Sequence, residues 1–135
     1  MSDVQLFRRL GTIARQAETS VSKLVKIYGL DDKTFIYLMR ILEHPQITQT
    51  QLCTLVRVDK TTVSRGLARL EKQGYITRFA ASDNRRSKHL APTALAQSHQ
   101  AALHELERLY VAQSLDGLSQ AERRQLNELL GKLVG

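Results

Sequence analysis

Lys60, Thr61, Thr62, Ser64 and Arg65 crowd the opening turns of one helical segment, and Arg69 follows one turn later. Their ammonium, hydroxyl and guanidinium groups all donate hydrogen bonds. Carried on one side of a helix, such donors suit phosphate oxygens and the acceptor edge of guanine in a DNA groove. The other side of the segment is apolar, with Val63, Leu67 and Leu70 at the spacing of a buried helix face. Arg65 has two readings. A bidentate contact to guanine would contribute about 1–3 kcal/mol of discrimination. A phosphate contact would carry no sequence information, and half or more of protein–DNA hydrogen bonds are of that kind.

More donors surround this segment. Lys60 and Arg69 are placed for phosphates, as is Lys88. Thr48 and Thr50 stand near the start of a preceding helix, where hydroxyls reach either a phosphate or, for Thr48, the helix's own first N–H groups. Arg85 and Arg86 fall at the tip of a polar, turn-prone stretch. An arginine there suits the negative potential of a narrow minor groove. One of the two is expected to enter the groove and the other to pair with Asp83; either assignment is open. Charge supports the pattern. The 135-residue chain has a formal net charge of +7. Residues 57–88 hold nine Lys and Arg against three acidic residues. Affinity for a polyanion through such a patch should fall steeply with salt.

Other chemistries find no residues. A Gly-rich phosphate loop, a nucleophile elbow and an acid–base carboxylate pair are all missing, so no enzyme is expected. The four histidines include no His-Glu-x-x-His pair, and His99 and His104 are five apart, off a common helix face. No metal site and no cofactor are expected. The single Cys53 excludes an intrachain disulfide. It is read as a core residue beside Leu52 and Leu55, with redox sensing as the competing role. No apolar run reaches membrane-spanning length and no signal-type segment opens the chain, so the expectation is a cytoplasmic protein without a membrane partner.

The elements that must position these donors follow from periodicity. A first helix is predicted over about residues 4–28, with Gly29 as its stop. A second starts at Asp31 or Asp32 and ends before Pro45. Thr48, with Gln51 three residues on, opens a short helix as a capping box, and Leu52, Leu55 and Val56 should face inward. Asp59 is the expected N-cap of the donor-bearing helix and Gly74 its stop. Residues 75–79 read as a strand, 81–87 as a turn, and 89–91 as a returning strand stopped by Pro92. A helix from about Thr93 and another opened by the Ser119–Glu122 capping box complete the chain. This makes a mainly α fold: a winged helix-turn-helix over residues 31–92, its wing a β-hairpin, inside one domain spanning 1–135. Residues 1–30 and 93–135 form a helical region whose apolar stripes, including Leu126, Leu129, Leu130 and Leu133, need a partner. A twofold mate is expected to cover them, and would also present two reading helices to two half-sites.

At this point the segments TQTQLCTLVRVDKTTVSRGLARLEKQGYITR and DNRRSKHLAPT resemble the reading unit and the wing signature of the MarR/SlyA family of bacterial transcriptional regulators. The likeness covers nearly the whole chain in element order. Departures are Arg57 where the turn usually has Gly, Asn84 where an Asp precedes the Arg pair, Pro92 for Leu, and Ala96 for Gly. The resemblance implies a homodimeric regulator, usually a repressor, on double-stranded DNA at a pseudo-palindromic promoter site. It also implies release by a small, often phenolic or lipophilic, effector, or in some members a response to oxidants or metals. Tyr28, Phe35 and Tyr37 are read as core residues, with the lining of an effector pocket as the alternative. The competing function is a protein-binding adaptor or anti-repressor of the same fold without specific DNA binding; nine cations in the middle of the chain argue against it.

Overall fold

The computed structural model describes residues 2–81 and 84–135, with side chains for all of these except 81 and 84–86. Six α-helices and one β-hairpin are present among them: α1 (Asp3–Val25), α2 (Asp32–Glu43), α3 (Gln49–Val56), α4 (Lys60–Lys72), β1 (Ile76–Ala81), β2 (Asn84–Pro92), α5 (Ala94–Ser114) and α6 (Gln120–Leu133).

Local chemistry sets the boundaries. Ser2, Asp31, Thr48, Asp59, Thr93 and Ser119 are N-caps whose side chains each accept a backbone N–H of the first turn. The first helix is shorter than expected. It gives way at Lys26 to a 3-10 turn ending at Tyr28, and Gly29 then takes a left-handed φ of 77°. Tightening of a last turn into 3-10 geometry is a common way to satisfy terminal carbonyls. After α4, Gln73 is the cap and Gly74 adopts the left-handed conformation, φ 85°.

α2 is the hub. It touches α1, α3, α4, α5 and β2. Phe35, Tyr37, Leu38, Met39, Ile41 and Leu42 are buried, so the apolar surface runs nearly all round this helix. Val63, Leu67 and Leu70 from α4, Leu52 from α3, Ile76 and Leu90 from the hairpin, and Leu103 from α5 close the same core. Phe35 and Tyr37 are core residues, and Tyr28 packs half-buried against them. Leu55 departs from expectation: it is 47% exposed. The helix is two turns long, and its inward side is already filled by Leu52, with Cys53 and Val56 half-buried against the core.

The hairpin is longer than its apolar residues suggest. β2 begins at Asn84, within the segment read as a turn, and Pro92 is its last residue rather than the stop beyond it. A two-stranded ribbon needs no apolar alternation on its open face, so backbone pairing extends through polar residues. Pro92 closes the ladder opposite Ile76, where a missing N–H is tolerated.

The outer helices bury little. Val25 alone is fully buried in α1, and no residue of α6 is. Phe7 is 75% exposed, Ile13 62%, Leu129 57% and Leu133 68%.

Candidate nucleic-acid interface

α3 and α4 meet at a turn built on Arg57, whose φ of 56° is left-handed. Glycine occupies such conformations at no steric cost, so an arginine here is an uncommon choice. Val58 N–H donates back to the Cys53 carbonyl across the turn. Asp59 then caps α4. One carboxylate oxygen accepts the Thr62 N–H at 2.9 Å, and the other accepts the Thr62 hydroxyl at 2.7 Å. These two bonds hold the Asp59 carboxyl below its ordinary value, with the hydroxyl as the larger cause.

The expected two-sidedness of α4 is present. Val63, Gly66, Leu67 and Leu70 face the core, while Lys60, Thr61, Thr62, Arg65 and Arg69 are exposed and Ser64 is half-buried. Lys60, Thr61, Ser64, Arg65 and Ala68 share a shallow recess of about 430 Å³ with Gln49 at the start of α3. Gln49 is a residue of this recess that its type alone does not mark. Its signal was its place as the first residue after the Thr48 cap, one helix away from the donors it joins.

The remaining expected residues divide. Thr48 is committed to capping: its hydroxyl oxygen accepts the Gln51 N–H at 3.0 Å, and the Gln51 side chain accepts the Thr48 N–H at 2.9 Å. Thr50 is exposed but lines a different groove, with His44, Ile47, Thr54 and Leu55. Arg69 is not idle. Its guanidinium donates to Asp31 at 3.2 Å, which ties α4 to the cap of α2. Burial pushes the Asp31 carboxyl up, but the Thr34 hydrogen bonds and Arg69 outweigh it and hold it below the ordinary value. Lys88 is exposed on β2 opposite Ala80. Asp83 and the side chains of Arg85 and Arg86 lie outside the described residues.

Below this face, Tyr37 is the seat of α4. Its ring lies so close to Gly66 that a Cβ there would stand 2.6 Å from it. Its hydroxyl is buried with no partner among the described residues. Burial pushes the Tyr37 phenol up, and the carboxylates of Asp31 and Asp59 add to it.

The hairpin is stitched to the start of α3 by bonds that the sequence did not announce. Gln46 N–H donates to the Leu90 carbonyl at 3.1 Å, and Leu90 N–H donates to the Ile47 carbonyl at 2.9 Å. Thr48 and His89 form an isolated antiparallel bridge. The His89 ring meets the Gln46 carbonyl at 2.9 Å and stacks on Phe79. Arg78 pairs with Glu71 at 3.2 Å, fixing β1 to the end of α4. No group of His, Cys, Asp and Glu among the described residues is arranged to hold a metal ion. No helix among them is long and apolar enough to cross a membrane.

Comparison with known proteins gives a consistent picture. A family model described as MarR family matches residues 28–87. An uncharacterized HTH-type transcriptional regulator of Bacillus subtilis strain 168, YybA, is 29% identical over 133 residues, covering 98% of this chain and 87% of that one. A MarR protein from Peptoclostridium difficile superposes with a TM-score of 0.93 at 26% identity, over 98% of this chain and 87% of the other. A MarR family transcriptional regulator from Listeria monocytogenes, solved in complex with a 26mer DNA, is 32% identical with a TM-score of 0.91, again over 98% and 87%. The likeness therefore runs through the outer helices as well as the reading unit, and the chain belongs to the MarR family.

Proposed function

We propose that this protein is a DNA-binding transcription regulator that acts as a homodimer, represses from a pseudo-palindromic promoter site and is released by a small-molecule effector. One observation carries the DNA-binding part: Lys60, Thr61 and Arg65 stand exposed on the side of α4 opposite its buried Val63, Gly66, Leu67 and Leu70. In this reading α4 enters the major groove and Arg65 reads a base edge. Thr61 and Ser64 assist it, and Thr62 contributes mainly through its bond to Asp59. Lys60, Arg69 and Lys88 neutralise phosphates, while Thr48 caps α3 and Thr50, in the neighbouring groove, offers a hydroxyl to a phosphate oxygen. Arg85 or Arg86 reads the minor groove.

A further support concerns the dimer, and one constraint bears on the effector. Phe7, Ile13, Leu129 and Leu133 are more than half exposed. Burying each in a twofold mate would contribute roughly 1.5–3 kcal/mol. A crevice between α1, α2 and α5, lined by Val21, Phe35, Leu106 and Tyr110 among others, has a volume of only about 10 Å³. That is at the limit for one water, so an effector entering there must part the helices.

An electrophoretic shift with DNA from upstream of the protein's own gene, repeated across salt concentrations, tests the reading. Specific binding that weakens steeply as salt rises is expected. Absence of binding to any duplex at low salt would overturn it in favour of an adaptor of the same fold.

A further inference from the structure

A second recess lies on α4, on the side facing the start of α2. Asp31, Lys33, Thr62, Arg65 and Arg69 line it, and its volume is about 180 Å³. Three cations and one carboxylate line this cleft, and the Lys33 ammonium also lies 3.9 Å from Asp32. The carboxylate divides its work between its two oxygens. Oδ1 accepts the Thr34 N–H and hydroxyl, each at 2.8 Å, and so caps α2. Oδ2 accepts the Arg69 guanidinium at 3.2 Å. The Asp31–Arg69 pair is open to water, with side-chain exposures of 40% and 58%. Exposed pairs of this kind are weak and exchange readily with other anions.

We propose that this recess seats a DNA backbone phosphate and that Asp31 is its built-in competitor, holding Arg69 in the free protein and yielding it when DNA docks. The inference rests on the DNA-binding reading above and adds Asp31 and Lys33 to it. A phosphate diester brings the oxygen acceptors that a guanidinium prefers. Arg69 then gains a phosphate, while Asp31 regains a counterion from solution. The net counterion release from this contact is close to nothing. Asp31 thereby lowers affinity for every duplex, specific or not, by the same factor.

Asp31→Asn isolates the effect, because asparagine keeps the capping oxygen and caps helices as well as aspartate does. Wild type, Asp31→Asn, Arg69→Gln and the double variant would be titrated by fluorescence anisotropy. The probes are the upstream duplex and a shuffled duplex of equal length, across salt. Asp31→Asn is expected to tighten binding to both by up to about fivefold per protomer. It should also steepen the slope of log affinity against log salt by about 0.9 per protomer. In the Arg69→Gln background the same change should do little. Unchanged or weaker binding by Asp31→Asn at an unaltered unfolding temperature would overturn the proposal. An equal gain with and without Arg69 would also overturn it, since that is the effect of net charge alone. If Asn loosens α2, Asp31→Ser keeps a capping oxygen and repeats the test with the same expected outcomes. If folded wild type binds neither duplex at low salt, the DNA-binding reading fails and this one falls with it; binding by wild type with no response to Asp31→Asn removes this one alone.

Discussion

Arg65 and Gly66 are neighbours with opposite duties. Arg65 is exposed in the recess shared with Gln49, while Gly66 lies against the Tyr37 ring. Arg65→Ala should therefore relax preference at one base pair per half-site, by about 1–3 kcal/mol, leaving the fold intact. Binding to a panel of singly substituted sites checks this; a uniform loss across the panel would mark a phosphate contact instead. Gly66→Ala should act through packing. A methyl group 2.6 Å from a buried ring forces α4 off α2, and overpacking of this kind costs about 1–3 kcal/mol. Thermal unfolding should show the loss, and DNA affinity should fall with it because the reading helix is displaced. An unchanged melting temperature would show that the ring slides aside.

At the scale of elements, the wing is the part whose outline and role are least alike in kind. Its backbone pairs from Ile76↔Pro92 to Ala81↔Asn84, with a register shift beside Ala80. Arg85 and Arg86 follow directly on the strand's start. Replacing both with alanine should weaken specific binding several-fold while circular dichroism stays that of the wild type; unchanged affinity would remove the wing from the DNA. The helices were legible because each start has a capping side chain and each stop a glycine, proline or polar break. Asp59 and Ser119 are where their residue types place them. The apolar spacing of α4 likewise separated Leu67 and Leu70 from Arg65 and Arg69. What sequence could not disclose were contacts between elements distant along the chain. The Asp31–Arg69 pair and the bonds joining residues 46 and 47 to Leu90 depend on tertiary proximity, not on any local pattern. Leu55 escapes its periodicity for the same reason: a helix pattern shows an inner side, but not how much of a two-turn helix its neighbours cover. Thr62 shows a subtler limit, since its type suits a base edge while its hydroxyl is already bonded to Asp59.

One core built on α2 reaches into α1 and α5 through Val25 and Leu103, and beyond it the outer helices bury little. α2 draws α3, α4 and the hairpin into one core, whereas α6 has no buried residue. In the proposed dimer, Leu129→Glu should split the pair or lower its unfolding temperature, because a carboxylate would replace a leucine at the join. Light scattering with the mass of an unchanged, fully stable dimer would exclude this face. The reciprocal bonds between Gln46, Ile47 and Leu90 bind hairpin and first reading helix into a single lever. Neither can adjust alone to the duplex beneath it. If the hairpin enters the minor groove as proposed, a site whose groove is too wide for it would also shift α3 and the α4 packed against it, so that base pairs no side chain touches would still help decide which sequences are bound.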